Sequence, residues 1–100
     1  MYIVREVFNT KPSKAKELVK IFKAAVPHFE KMGDMKNSKI MTDVTGPYWT
    51  VVFESEVKNI GDFFGQLRNP SNPMPPELME IMKGYMDCVE GGHREIYILE

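Results

Sequence analysis

The stretch that most constrains the fold is GPYWTVVFE at residues 46–54, a Gly-Pro turn followed by a strand-like run that is apolar on both sides. Successive side chains of a β-strand point to opposite faces. One face would carry Trp49, Val51 and Phe53, and the other would carry the alternate residues, Tyr48, Thr50 and Val52. A half-buried strand should alternate apolar and polar residues, so this run raises the question of what covers its second side.

Length and composition limit the class of protein. The 100 residues suit one domain over residues 1–100. Thirteen basic and fourteen acidic side chains give a net charge of −1, a balance that argues against nucleic-acid binding. Cys88, the only cysteine, excludes an intrachain disulfide and suits a reducing cytoplasm. The sequence has no signal-peptide pattern and no apolar run of the about 18 residues that a membrane span needs. We therefore expect a cytoplasmic protein that does not act in a membrane.

The first half of the chain predicts one strand, one long helix and a hairpin. Residues 2–8 alternate as a strand, and a helix follows that is capped by Thr10 or Lys11 and has Pro12 in its first turn. Its apolar stripe predicts burial of one face through Ala15, Leu18, Val19, Phe22, Ala25, Val26 and Phe29. Pro27 predicts a kink or an early end near Val26, and Gly33 predicts a stop. After a loop at 34–38, strands 39–45 and 48–54 flank a two-residue turn.

The second half predicts helices and a closing strand. Apolar residues within 57–67 predict a second helix, and the proline-rich segment 69–76 predicts a stiff loop. A third helix is expected from Pro75–Pro76 to about Val89, followed by Gly91-Gly92 and a strand at 93–99. The order is βαββαβ with the second helix split. It predicts an α+β fold whose four-stranded antiparallel sheet has its first and third strands in the centre and all helices on one face.

This arrangement leaves one sheet face without helices. An apolar patch of several hundred Å² around Tyr48, Thr50 and Val52 would exceed what most monomers expose. We therefore expect a homodimer in which two copies of the sheet face each other. The bulkier set, with Trp49 and Phe53, is assigned to the helix side.

Three segments carry a resemblance to a known group of proteins. REVFNTKPSKAKELVKIFK resembles the opening of dimeric α+β barrel proteins of the NIPSNAP and antibiotic-biosynthesis-monooxygenase type, with Ser13 where many relatives have Gly. TDVTGPYWTVVFE is similar to their central hairpin, and GGHREIYILE to their closing strand. The resemblance implies a ferredoxin-like monomer, a dimeric barrel and a pocket between helices and sheet.

The superfamily includes cofactor-free monooxygenases, haem-degrading enzymes, isomerases and proteins without known activity, and fold alone does not choose among them. Haem-degrading members use an Asn on the first strand, a Trp on the third and a His on the following helix. Trp49 matches, but no Asn precedes Asn9 and the second helix has no His. We therefore expect no haem and no other cofactor.

The sequence offers two weak candidates for catalysis. His28, on the first helix, could serve as a general base, or it could be a half-exposed residue near the helix end. Arg5 could reach the pocket and bind an anionic substrate. Alternatively, the dipeptide Arg-Glu occurs in both the first strand (Arg5-Glu6) and the last strand (Arg94-Glu95), which predicts structural ion pairs between the two strands. The spacing of the two histidines matches no metal motif, so we expect no metal site.

The expected ligand-binding residues are Trp49, Phe53, Tyr85 and Met82. The third helix has a broad apolar arc rich in methionine, which suits either core packing or a soft wall for an apolar ligand. The sequence thus allows two functions. One is a cofactor-free monooxygenase or isomerase that acts on a small aromatic or apolar molecule. The other is a non-catalytic ligand-binding or accessory module.

Overall fold

In the computed structural model, which describes residues 1–33, 35–67 and 74–100, four strands and four helices follow one another along the chain. Their order and bounds are β1 (Tyr2–Thr10), α1 (Ala15–Met32), β2 (Met35–Thr42), β3 (Thr50–Val57), α2 (Ile60–Leu67), α3 (Pro76–Ile81), α4 (Tyr85–Cys88) and β4 (Val89–Ile98). The antiparallel sheet has the strand order β2-β3-β1-β4. The predicted α+β topology, with the first and third strands in the centre, is confirmed.

The hydrophobic core lies between the helices and one face of the sheet. Leu18 and Phe22 of α1 pack with Val51 and Phe53 of β3, and all four are buried. A second cluster joins Val4, Val57 and Phe63, the last from α2. Alternation along β1 and β3 places these strand residues on the same face, which we call the helix face. The assignment of Val51 and Phe53 to the helix side is therefore right.

The first helix begins later than the sequence suggested and does not end early near Val26. Thr10 stays in β1, Pro12 and Ser13 form a turn, and the helix starts at Ala15. It then continues through Pro27 to Met32 and stops before Gly33, as predicted. Proline leaves the carbonyl four residues earlier without its helical donor. Because both Pro27 and Lys23 are exposed, water can reach that carbonyl and the helix need not end.

The connection between β2 and β3 is a seven-residue loop, residues 43–49, so the prediction of a two-residue turn was wrong. The Asp43 carboxylate accepts a hydrogen bond from the Thr50 amide at 3.1 Å, and the Thr50 hydroxyl donates to the Pro47 carbonyl at 2.9 Å. Trp49 lies in this loop with a positive φ of 64°, and its carbonyl accepts hydrogen bonds from the amide and hydroxyl of Thr10. The assignment of Trp49 to a strand was therefore also wrong.

The start of β2 and the end of β3 differ from the predicted positions. β2 begins at Met35, inside the predicted loop 34–38, and a register shift between Lys36 and Lys39 accommodates the extra residues there. Residue 34 and the predicted loop at residues 69–73 lie outside the described residues. β3 runs on to Val57, which was expected to open the second helix.

The predicted third helix is divided into α3 and α4. Gly84 lies between them with a φ of 90°, a conformation that ordinary residues rarely adopt. β4 then begins at Val89, so Gly91 and Gly92 belong to the strand instead of preceding it. Gly92 faces Phe8 of β1, and a Cβ atom at this position would meet the carbonyl oxygen of Val7. Close approach of the two backbones therefore requires glycine at residue 92.

The opposite side of the sheet, which we call the open face, is not apolar in the way that the sequence suggested. Tyr48 lies in the loop, so only Thr50 and Val52 of the expected patch belong to this face of β3, and Thr50 is buried. An ion pair between Arg5 and Glu54, with a distance of 2.7 Å, crosses its centre. No helix of the described part of the chain is both long and apolar enough to span a membrane.

Candidate functional site

A cavity of about 480 Å³ lies between the helices and the helix face of the sheet. Six aromatic residues form part of its wall, namely Phe8, Phe22, Phe29, Phe53, Phe63 and Tyr85. Phe53 packs edge-on against Phe22 at 5.4 Å and against Phe29 at 5.8 Å between ring centroids. These edge-to-face contacts fix the rings in place and favour a preformed cavity.

Methionine supplies the remaining apolar wall of the cavity. Four of the eight methionines of the chain line it, namely Met32, Met35, Met74 and Met82. Methionine side chains are unbranched and polarizable, so they adapt to apolar molecules of different shape. One wall of the cavity is therefore rigid and the other is adaptable.

An ion pair on the sheet interrupts this apolar lining. Glu6 of β1 and Arg94 of β4 are cross-strand partners, and Arg94 Nε donates to Glu6 Oε1 at 2.5 Å. The Arg94 guanidinium also lies 5.8 Å from the centroid of the Phe63 ring. The Glu6 side chain is 25% exposed and that of Arg94 is 37% exposed, so the pair is partly shielded from solvent. Both residues line the cavity and place paired charges on its floor.

Tyr85 adds a hydroxyl group to the same cavity. Burial raises the pKa of Tyr85, and the nearby charge of Glu6 raises it further. The hydroxyl therefore keeps its proton at neutral pH and can donate a hydrogen bond. Ser55, by contrast, is satisfied within the protein, because its hydroxyl lies 2.8 Å from that of Ser38.

Three of the four residues predicted to bind a ligand lie together in the cavity: Phe53, Tyr85 and Met82. Trp49 does not line it. It lines a separate cleft of about 670 Å³ between the start of α1 and the loop 43–49. Tyr48 and Val44, which also line that cleft, are 88% and 101% exposed, so much of its wall is solvated surface. The cavity at the helix face differs in having buried Phe22, Phe53 and Phe63 in its wall.

The two candidates for catalysis lie elsewhere. Arg5 belongs to the open face, where it pairs with Glu54 and lies 5.7 Å from the centroid of the Tyr97 ring. His28 is on α1, and its Nδ1 lies 3.9 Å from a carboxylate oxygen of Glu77. Neither residue lines the cavity. The structure therefore does not bring them together with Phe53, Tyr85 and Met82.

The described residues contain no group of three or more His, Cys, Asp or Glu side chains that could hold a metal ion. Cys88 is fully buried, and this burial raises the pKa of its thiol. A thiol is a poor nucleophile when it stays protonated. Cys88 is therefore a poor candidate for a nucleophile.

Glu6 and Arg94 were not among the residues expected in the site, although the sequence pattern places Glu6 on the helix face. Glu6 has the same parity as Val4 and Phe8 in β1, so alternation alone places it on the helix face. The Arg-Glu dipeptide shared by the first and last strands predicted cross-strand ion pairs, and the Glu6–Arg94 pair is one of them. The side chain of Arg5, however, pairs with Glu54 of β3 and not with Glu95 of β4.

No protein-family model matches the sequence, and no curated protein matches it. Solved structures do share its architecture. A NIPSNAP domain protein from Burkholderia xenovorans superposes with a TM-score of 0.77 at 13% identity, over 100% of this chain and 95% of that one. A proposed antibiotic biosynthesis monooxygenase from Nitrosomonas europaea gives 0.70 at 13% identity, over 99% and 98%.

A conserved protein from Methanosarcina mazei gives a TM-score of 0.71 at 17% identity, over 99% of this chain and 92% of that one. Identities this low show a common fold and nothing more specific. This chain therefore has the ferredoxin-like α+β fold of the solved NIPSNAP and antibiotic-biosynthesis-monooxygenase structures, as the sequence resemblance implied.

Proposed function

We propose that this protein binds a small, largely aromatic or apolar molecule in the cavity at the helix face. The observation that carries the proposal is the lining itself, in which five phenylalanines and four methionines surround a single ion pair. A volume of about 480 Å³ falls within the range of about 300–1,000 Å³ that is typical of small-molecule sites. Such sites combine apolar walls with a few polar groups that orient the ligand.

Binding without chemistry is the function that the geometry supports best. Enzymes usually hold polar groups in a perturbed and poised state at the reacting centre. Here the charges of Glu6 and Arg94 are paired with each other, and no buried side-chain nitrogen or oxygen of the described residues lacks a hydrogen-bond partner. This arrangement suits a ligand-binding or accessory module.

A cofactor-free monooxygenase or isomerase is the second candidate. Its support is the presence of the Glu6 carboxylate and the Tyr85 hydroxyl in one cavity, where a base and a proton donor could act on the same ligand. For any ligand found to bind, solvent-deuterium incorporation tests the isomerase and dioxygen uptake tests the monooxygenase. Glu6→Gln should abolish either signal if the carboxylate is the base, whereas Tyr85→Phe should lower it.

Binding itself can be tested by thermal shift against quinols, flavins, haem, aromatic acids and neutral aromatic amides. A ligand at one hundred times its dissociation constant stabilises the folded state by about 2.7 kcal/mol. Met82→Trp should fill the cavity and weaken binding at least ten-fold. Met86→Trp is the matched control, because Met86 is 74% exposed and does not line the cavity. Equal loss in both variants, or no shift with any compound, would contradict the proposal.

We further propose that the open face packs against the open face of a second copy. No described helix covers this face, and it carries partly buried Val7 and Val52 beside Tyr97, which is 51% exposed. Its central ion pair would then be shielded by the second copy. Two-fold association covers both copies with one interface.

Sedimentation equilibrium at micromolar concentration tests this arrangement, with a dimer expected at twice the chain mass of 11.5 kDa. Val7→Lys places a charge in the middle of the open face and should shift the protein to monomers. Ala24→Lys adds the same charge on an exposed position of α1 and should leave the mass unchanged. A wild-type protein that stays monomeric would refute the dimer.

A further inference from the structure

We infer that the Glu6–Arg94 pair makes the cavity selective for an uncharged ligand that carries a hydrogen-bond donor beside an acceptor. This inference rests on the proposed ligand-binding function and specifies the ligand of that same cavity. The inference has two grounds. The pair has no net charge, and only one hydrogen bond joins its two side chains.

The geometry leaves both a donor and an acceptor for a ligand. A guanidinium has five N–H donors and a carboxylate has two acceptor oxygens. The pair joins Arg94 Nε to Glu6 Oε1, and this is the only hydrogen bond between these two side chains and any described residue. The terminal N–H groups of Arg94 and the second oxygen of Glu6 can therefore bind a ligand acceptor and a ligand donor side by side.

The charges of the pair explain why the ligand should be neutral. An anion that approaches Arg94 also approaches the carboxylate of Glu6, and a cation that approaches Glu6 meets the guanidinium. Moving a charged group out of water costs free energy unless a net opposite charge receives it. Because the two charges sum to zero, a neutral donor–acceptor group gains the hydrogen bonds without that cost.

The surroundings of the pair strengthen this selectivity. Phe63 covers the guanidinium at 5.8 Å, and the neighbouring wall includes Phe8 and Phe53. Apolar walls lower the local polarity, so electrostatic interactions with the pair are stronger than between fully solvated groups. They also fix the orientation of the ligand, with its polar group at the sheet and its apolar body toward the rings and methionines.

Calorimetric titration with three flat probes of nearly the same shape tests the inference. The probes are 2-naphthamide, which is neutral, 2-naphthoate, which is an anion, and 2-naphthamidine, which is a cation. Wild-type protein should bind the amide tightest, by about five-fold or more over either charged probe, as expected for a charge effect at a partly exposed site. A charged probe that binds as tightly as the amide would overturn the inference.

Two substitutions should reverse the preference in opposite directions. Glu6→Gln leaves the site with a net positive charge, so naphthoate should become the tightest probe. Arg94→Gln leaves it with a net negative charge, so naphthamidine should become the tightest. Glu54→Gln is the matched control, because it removes a carboxylate from the ion pair of the open face and should not change the order of the probes.

The outcomes separate the two proposals. If none of the three probes binds the wild-type protein, the ligand-binding function fails and this inference fails with it. If all three bind with equal affinity, the function stands and the selectivity is refuted. Circular dichroism should first establish that each variant is folded, and the order of the three probes on the wild-type protein decides the matter if a variant is not.

Discussion

Each face of the sheet carries an ion pair between an arginine and a glutamate, but the two pairs have different surroundings. Adjacent residues of β1, Arg5 and Glu6, each form an ion pair with a neighbouring strand, and the pleat sends them to opposite faces. Glu6 meets Arg94 beside phenylalanine rings in the cavity, whereas Arg5 meets Glu54 on a face without described helices. The comparison teaches that the role of an ion pair is set by what covers it and not by its own geometry.

The covering also determines which face stabilises the monomer. On the helix face, Val4, Val51 and Phe53 are at most 5% exposed, whereas Val7 and Val52 of the open face are only partly buried. Buried apolar area is the main source of stability. The helix face should therefore hold the fold together, and the open face should tolerate change in the isolated chain.

The largest expected effect is a difference between neighbouring valines of β3. Val51→Ala should lower the free energy of unfolding by about 2 kcal/mol, because Val51 is fully buried and its removal leaves a cavity. Val52→Ala, on the open face, should cost less than about 1 kcal/mol. Both are measured by urea unfolding in the Val7→Lys background, which is expected to be monomeric. Equal losses would show that the two faces are buried alike.

A second test compares neighbouring glycines of β4. Gly92→Ala should destabilise the protein by about 1–2 kcal/mol, because its Cβ would press on the Val7 carbonyl and β1 would have to move. Gly91→Ala is the control, since a Cβ there meets no atom within 4 Å. The same urea experiment measures both. A Gly92→Ala protein as stable as the Gly91→Ala protein would mean that β4 lies farther from β1.

A smaller effect is expected from the ion pair of the open face. In the monomeric Val7→Lys background, Glu54→Gln should cost less than about 1 kcal/mol, because the Arg5 side chain is 43% exposed and water screens the pair. In the wild-type protein the same change should weaken the dimer, which sedimentation measures. A monomer that loses several kcal/mol would show that this pair is already buried without a second copy.

The smallest effect concerns acid pH at Glu95. A hydrogen bond from His93 lowers the pKa of Glu95, with a further contribution from the Tyr97 hydroxyl. A carboxyl group whose folded-state pKa is lowered stabilises the protein above its unfolded pKa, and this contribution is lost as the pH falls through the folded-state value. Urea midpoints between pH 3 and 6 should therefore fall less steeply for Glu95→Gln than for wild type. Parallel curves would exclude the effect.

The fold could be predicted because apolar residues recur with the period of a helix or a strand in the main elements. The apolar stripe of α1 and the alternation in β1 and β3 were sufficient for the order and the central strands. The predicted ends of helices and strands were wrong where tertiary contacts determine them. Thr10 stays in the sheet because it binds the Trp49 carbonyl, and Gly92 enters β4 because the backbone of β1 lies so close. Local sequence contains neither contact.

The residues expected to bind a ligand stay a prediction, but their positions can be compared with the candidate cavity. Phe53, Tyr85 and Met82 line it, whereas Trp49 lies outside it because the loop 43–49 is longer than the sequence suggested. Glu6 and Arg94 were expected only to take part in cross-strand ion pairs, since a charged residue in a central strand does not itself reveal which face it shares with the helices. The parity of Glu6 with Val4 and Phe8 carried that information.

The methionine methyl groups test the central claim, a ligand cavity confined to the helix face, most directly. Four methionines line the cavity, whereas Met1, Met41, Met79 and Met86 lie outside it and are at least 37% exposed. In a protein labelled with carbon-13 at these methyl groups, titration with 2-naphthamide should move the signals of Met32, Met35, Met74 and Met82 and leave the other four in place. Movement confined to the outer four, or no movement at all, would contradict the account.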